Sequence, residues 1–226
     1  MNRLLVRRFM QVAVGTLVLA IMMFISSGRT DWVWAWAFIA VSIGAVVVNT
    51  ELILPSNPEL IGERAEAKEN TKGWDRTFTR IFIIPYFATP IIAGLDVRFG
   101  WSPQFALVTQ LVALVIVIGG YGLVSWAMVS NVFFSRTVRI QEDRGYTVAT
   151  ADPYQYLRHP GYVGMLAYSL AAPLLLGSFW ALIPVIFVAY GFIIRTSLED
   201  KTLQEELDGY RDYAQHVKYR LIPKIW

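Results

Sequence analysis

The block Tyr162–Ile194 reads YVGMLAYSLAAPLLLGSFWALIPVIFVAYGFII, an uninterrupted run without one charged residue. Gly177-Ser178 divides it into halves of about 16 residues, each roughly 24 Å long as a helix. That is short of a hydrocarbon core of about 30 Å. The stretch therefore predicts a helical hairpin, either two tilted spans or a pair that does not fully cross. Both forms return the chain to the side on which it entered.

The rest of the chain agrees with a membrane setting. Its 226 residues are 55% hydrophobic and only 16% charged, with eight Trp and a mean hydropathy of +0.46, a combination that few soluble domains share. The apolar runs do not alternate, which excludes a membrane barrel. The class is an all-α polytopic membrane protein with about five to six membrane helices, the C-terminal hairpin among them. Phe9–Ile25 reads as the first span, preceded by three arginines. A second runs from the aromatic belt Trp32, Trp34 and Trp36 to Leu54, where Pro55 and Pro58 end it. A third covers Ile81–Leu95, with a kink expected at Pro85 and Pro90. The fourth, Phe105–Val129, carries Gly119-Gly120-x-Gly122, small residues that let another helix approach closely. Of the 20 lysines and arginines, only Arg29 and Arg98 fall in the proposed outside turns, so both termini are expected in the cytoplasm.

Several chemistries are excluded at this level. There is no cysteine, hence no thiolate nucleophile and no Cys-ligated metal. The two histidines lie far apart, and no metal is expected. The formal charge of +3 comes from residues beside membrane segments, where anionic lipid explains them better than nucleic acid does.

Two polar blocks interrupt the spans. Residues 55–80 form a loop in which Glu59–Glu69 reads as a short surface helix, either a solvated connector or a cover for a substrate entrance. In the second block, Val138-Arg139-Ile140 and Tyr146-Thr147-Val148 flank Gln-Glu-Asp-Arg-Gly, which predicts a small cytoplasmic β-hairpin with Gly145 at positive φ. The chain thus divides into N-terminal membrane helices, 1–130, and a C-terminal unit, 131–226, ending in a cytoplasmic helix.

Chemistry gathers at the entrance to the last apolar block. Asp152–Gly164 reads DPYQYLRHPGYVG, with one of the two histidines, an arginine and three tyrosines. Polar groups so close to a membrane segment are costly unless they bind something. A lone histidine is more often structural, but Arg158, Pro160 and Tyr162 beside His159 favour a site. His216 reads as a surface residue. Where the last span emerges, Arg195 and Glu199 share a helix face at i,i+4, a spacing that also suits a plain salt bridge.

Arg158-His159-Pro160-x-Tyr162-x-Gly164, then Arg195-x-x-x-Glu199-Asp200, then Tyr210-x-x-Tyr213 and Arg220-Leu221-Ile222-Pro223 together resemble the isoprenylcysteine carboxyl methyltransferase family, which is related to the phospholipid N-methyltransferases. The resemblance covers roughly residues 131–226. Asp200 stands where a second Glu is usual, and Asp152-Pro153-Tyr154 where Gly-Pro-Tyr is common.

The resemblance implies a membrane-embedded methyltransferase with S-adenosyl-L-methionine as cofactor and a lipophilic or lipid-modified acceptor. It implies cofactor contacts among Tyr154, His159, Pro160, Tyr162, Gly164, Glu199, Asp200 and Tyr213. Glu199 or Asp200 would meet the methionyl ammonium, and His159 its carboxylate. Tyr154, Tyr162 and Tyr213 compete for the adenine. For a carboxylate acceptor, Arg195 and Arg158 are the catalytic candidates that would hold it. For a lipid amine, Glu199 or His159 would act as base. A sterol-reductase-like enzyme using NADPH and a non-enzymatic membrane protein remain alternatives.

Overall fold

The computed structural model describes residues 3–55, 60 and 70–226. Among these, seven α-helices occur: α1 (Arg3–Ser27), α2 (Val33–Ile53), α3 (Gly73–Phe99), α4 (Leu107–Val129), α5 (Pro160–Leu176), α6 (Leu182–Glu206) and α7 (Tyr210–His216). There is no strand among the described residues. Five of the helices are long and apolar enough to cross a membrane, and α5 is a shorter apolar helix. The chain is an integral membrane protein of the all-α class. Large side chains such as Ile84, Val115 and Ile186 point outward; in a soluble protein they would be a liability, and against lipid they are at home.

Small residues set the closest contact in the bundle. An added Cβ at Gly164 of α5 would sit 2.5 Å from the Gly120 carbonyl of α4, and one at Gly120 would sit 2.8 Å from the Gly164 carbonyl. The backbones touch here because neither residue has a side chain. From this crossing α5 follows α4 along its whole length. Near one end Gly161 lies against Phe134 and Ala127; at the other, Gln110 Nε2 donates to the Leu175 carbonyl at 3.2 Å. The hairpin therefore traverses the bundle fully, in spite of the shortness of α5.

Its far turn is held by a buried polar cluster. Asp96 near the end of α3 is 1% exposed and accepts from Ser102 N at 2.7 Å, Ser102 Oγ at 2.6 Å and Ser178 Oγ at 2.5 Å. Ser178 Oγ accepts in turn from Ala181 N. A buried carboxylate is tolerable because its lone pairs are filled. At the same end Met23, Trp32, Ala35, Ile39, Ala93, Leu176 and Ala181 form an apolar cluster, and Arg98 lies against Gly28. All the polar segments after α4 gather at the opposite end.

Several expectations are corrected. No β-hairpin forms over 138–148. Val138 N–H donates instead to Asp75 Oδ2 at 2.9 Å, and its carbonyl accepts from Lys72 N at 2.9 Å. The edge that would have paired with Tyr146–Val148 is thus taken by the start of α3. The turn is a 3-10 segment, Glu142–Arg144, and Gly145 follows it with φ 62°, the positive value expected. Helix α3 starts well before Ile81 and runs through Pro85 and Pro90 without interruption. Helix α6 outlasts the apolar run and continues to Glu206, so Arg195 and Glu199 stand on one helix, as their spacing suggests. The expected surface helix Glu59–Glu69 lies outside the described residues except Leu60, which packs against Ile53, Val124 and Met128.

Candidate active site

At the polar end, α3, α5, α6, α7 and the segment after α4 line a partly open cavity of about 480 Å³. That lies in the range of small-molecule and cofactor sites. Most of its wall comes from residues after 130, with Thr79 and Tyr86 of α3 completing it. Of the residues singled out in the sequence, Tyr154, Arg158, His159, Tyr162, Arg195, Glu199 and Tyr213 line it. Pro160 and Gly164 do not. Pro160 is fully buried at the first position of α5, where a proline's missing N–H costs nothing, and Gly164 makes the crossing with Gly120.

Glu199 and Asp200 are neighbours with different fates, because adjacent helix positions point about 100° apart. Glu199 faces the cavity, where the Tyr162 hydroxyl donates to Glu199 Oε2 in a very short contact. Asp200 turns away and is fully buried. Its Oδ1 lies 3.3 Å from Arg158 Nη1 and 3.4 Å from His159 Nε2, and accepts from Tyr210 OH at 3.0 Å. Its Oδ2 accepts from Arg220 Nε at 2.8 Å and Gln204 Nε2 at 2.7 Å. Five side chains thus converge on one carboxylate. This knot joins α6, the entrance to α5 and the C-terminal tail.

The backbone repeats the clasp. Arg158 N donates to the Tyr219 carbonyl at 2.9 Å, and His159 N to that of Arg220 at 3.1 Å. Tyr213 OH donates to the Tyr154 carbonyl at 2.7 Å, and Tyr154 OH to that of Ala127 at 3.2 Å. Burial is the main cause that pushes the phenols of Tyr154, Tyr210 and Tyr213 upward; the Asp200 carboxylate adds to it at Tyr210. All three stay protonated donors at neutral pH. Just ahead of them Asp152 has φ 54°, in the left-handed region where glycine is the usual occupant and Asp a tolerated one.

Arg195 does not pair with Glu199. Its Nη2 lies 3.0 Å from Asp75 Oδ1 and donates to the Arg136 carbonyl at 2.8 Å. The guanidinium stands 5.7 Å from the Tyr162 ring centre and 5.7 Å from that of Phe78. Its Nε is buried without a hydrogen-bond partner, as is Arg158 Nε. Sequence reasoning missed Asp75, which it assigned to the 55–80 loop. The one available signal was an acid two residues after Gly73 at the start of a helix, a favoured position beside the helix dipole. Among the described residues no group of three or more acidic or histidine side chains gathers to hold a metal.

The fold and cavity define a class: a polytopic helical membrane protein with a partly open, charged and aromatic pocket at one end of its bundle. Residues 111–205 match the isoprenylcysteine carboxyl methyltransferase family, the family that the motifs resemble. The chain is also similar to the protein-S-isoprenylcysteine O-methyltransferase of Saccharomyces cerevisiae, at 26% identity over 123 residues, 54% of this chain and 49% of that relative. It thus spans about half the length of the relative it matches.

Proposed function

We propose that the protein is a membrane-embedded methyltransferase that uses S-adenosylmethionine and methylates the carboxylate of a lipophilic acceptor of the prenylcysteine type. The observation that carries this is the separation of charge on one turn of α6. Glu199 and Arg195 face the same cavity, yet each is engaged by another element, Tyr162 and Asp75 respectively. A site that must hold a cationic donor beside an anionic acceptor needs that arrangement.

The residues present fit such a donor. Glu199 offers a carboxylate for its ammonium group. Arg158 offers a buried N–H without a partner, suited to its carboxylate, and His159 lies alongside. Tyr154, Tyr162 and Tyr213 present aromatic surface to the cavity, favourable to a purine and to a sulfonium cation. Bound there, the donor would supply an electrophilic methyl group. Arg195 would receive the acceptor carboxylate through its guanidinium, whose Nε–H has no partner, by a charge-assisted hydrogen bond. A carboxylate is already anionic at neutral pH, so no general base is required. Holding the reactants close and excluding bulk water carries the rate. Residues 131–226 would form the donor-binding core, with the cavity and both termini on the cytoplasmic side.

The test is calorimetric titration of S-adenosylhomocysteine into detergent-purified protein, with NADPH in parallel. Micromolar binding of the first, lost in Glu199→Gln, is expected. Binding of NADPH alone would replace the proposal with a reductase, and binding of neither by folded protein would overturn it.

A further inference from the structure

We propose that Asp75 is a positioning residue that keeps the site's two opposite charges apart, and the proposal rests on the donor-binding reading above. Arg195 and Glu199 are four residues apart on α6, a spacing at which Arg and Glu side chains meet readily. Left to themselves they would neutralise each other inside a partly desolvated cavity, where such a contact is much stronger than in water. A quenched Glu199 would be a poor seat for an ammonium group.

Asp75 prevents this from the other side of the cavity wall. Its side chain is fully buried and lies outside the stretch that matches the family. One oxygen faces Arg195 Nη2 at 3.0 Å, while the other accepts the Val138 N–H at 2.9 Å. The second contact fixes the carboxylate, since Val138 is itself tied to Lys72 at the start of α3. The Arg136 carbonyl completes the hold on Nη2. The Asp75 charge beside Nη2 and the Arg136 carbonyl that accepts from it hold the guanidinium toward α3, over the Phe78 and Tyr162 rings. Glu199 is left to the Tyr162 hydroxyl. Charge neutrality is thereby reached between α3 and α6, and the free negative charge remains where a cation is to bind.

The test uses the full chain. Asp75→Asn keeps the shape and an acceptor for Val138 N–H but releases Arg195 to Glu199. Binding of S-adenosylhomocysteine is expected to weaken at least tenfold. The double variant Asp75→Asn with Arg195→Met has no guanidinium to quench Glu199, and binding should recover to near the wild-type level. Unchanged binding in Asp75→Asn, or no recovery in the double variant, would overturn the proposal and leave Asp75 a support of the fold. A ligand-free measurement separates this from failure of the donor reading. In melting experiments, the coupling between Arg195→Met and Glu199→Gln should be small while Asp75 is present and grow in the Asp75→Asn background. Coupling that grows without Asp75, in protein that binds no S-adenosylhomocysteine, would sustain the charge separation and discard the cofactor. Equal coupling in both backgrounds would overturn it.

Discussion

The contrast between residues 199 and 200 is the sharpest at the level of single side chains. Replacing Asp200 by Ala strands Arg158 and Arg220 around a buried hole, and breaking one side of a buried charge network costs about 3–5 kcal/mol. Asp200→Ala is therefore expected to melt well below wild type, or to fail to yield a monodisperse peak on size exclusion. Glu199→Gln should purify with a nearly unchanged melting temperature and lose nucleoside binding. Equal behaviour of the two variants would contradict the division of roles. Tyr162→Phe removes the donor that orients Glu199 while leaving the ring. A hydrogen bond to a charged group contributes about 1.5–3 kcal/mol, so S-adenosylhomocysteine affinity should fall roughly tenfold or more. An unchanged dissociation constant would show that Glu199 needs no such orientation.

Among the helices, the α4–α5 crossing decides whether the entrance segment sits correctly. Gly164→Ala drives a Cβ to 2.5 Å from the Gly120 carbonyl, and overpacking of this kind costs about 1–3 kcal/mol. The melting temperature should drop by several degrees. Because Gly164 is not on the cavity wall, ligand affinity at low temperature should survive; its selective loss with normal stability would return Gly164 to the binding site. The continuation of α6 past its apolar part has a similar logic. Arg195, Glu199 and Asp200 stand on helix that emerges from the apolar section, and so are held more rigidly than loop residues would be.

For the molecule as a whole, the C-terminal tail acts as a brace. Arg220 reaches Asp200, and the carbonyls of Tyr219 and Arg220 receive the amides of Arg158 and His159. Removing residues 219–226 should lower the melting temperature and abolish nucleoside binding, because the knot around Asp200 and the entrance to α5 open together. Retained affinity in the shortened chain would show that the brace is dispensable. Sidedness can be read cleanly, since the protein contains no cysteine. In inside-out vesicles a cysteine at Lys218 should react with an impermeant maleimide and one at Arg98 should not; the reverse pattern would place the cavity on the outer side.

Composition and pattern alone determined that this is a helical membrane protein with a C-terminal hairpin, because apolar length and charge placement answer to the bilayer and not to tertiary contacts. The local order of Arg158-His159-Pro160, Arg195, Glu199 and the tail also marked where chemistry gathers. Tertiary structure alone decided the rest. The segment Val138–Val148 has the alternation of a hairpin, yet Asp75 and Lys72 claim both backbone hydrogen bonds of Val138. Arg195 and Glu199 have the spacing of a salt bridge, yet each meets a partner from another helix. Glu199 and Asp200 look interchangeable in one dimension, and only the direction in which α6 faces its neighbours sends one into the cavity and the other into the knot. Each of these outcomes is a competition between a near partner and a distant one, and sequence spacing records only the near partner.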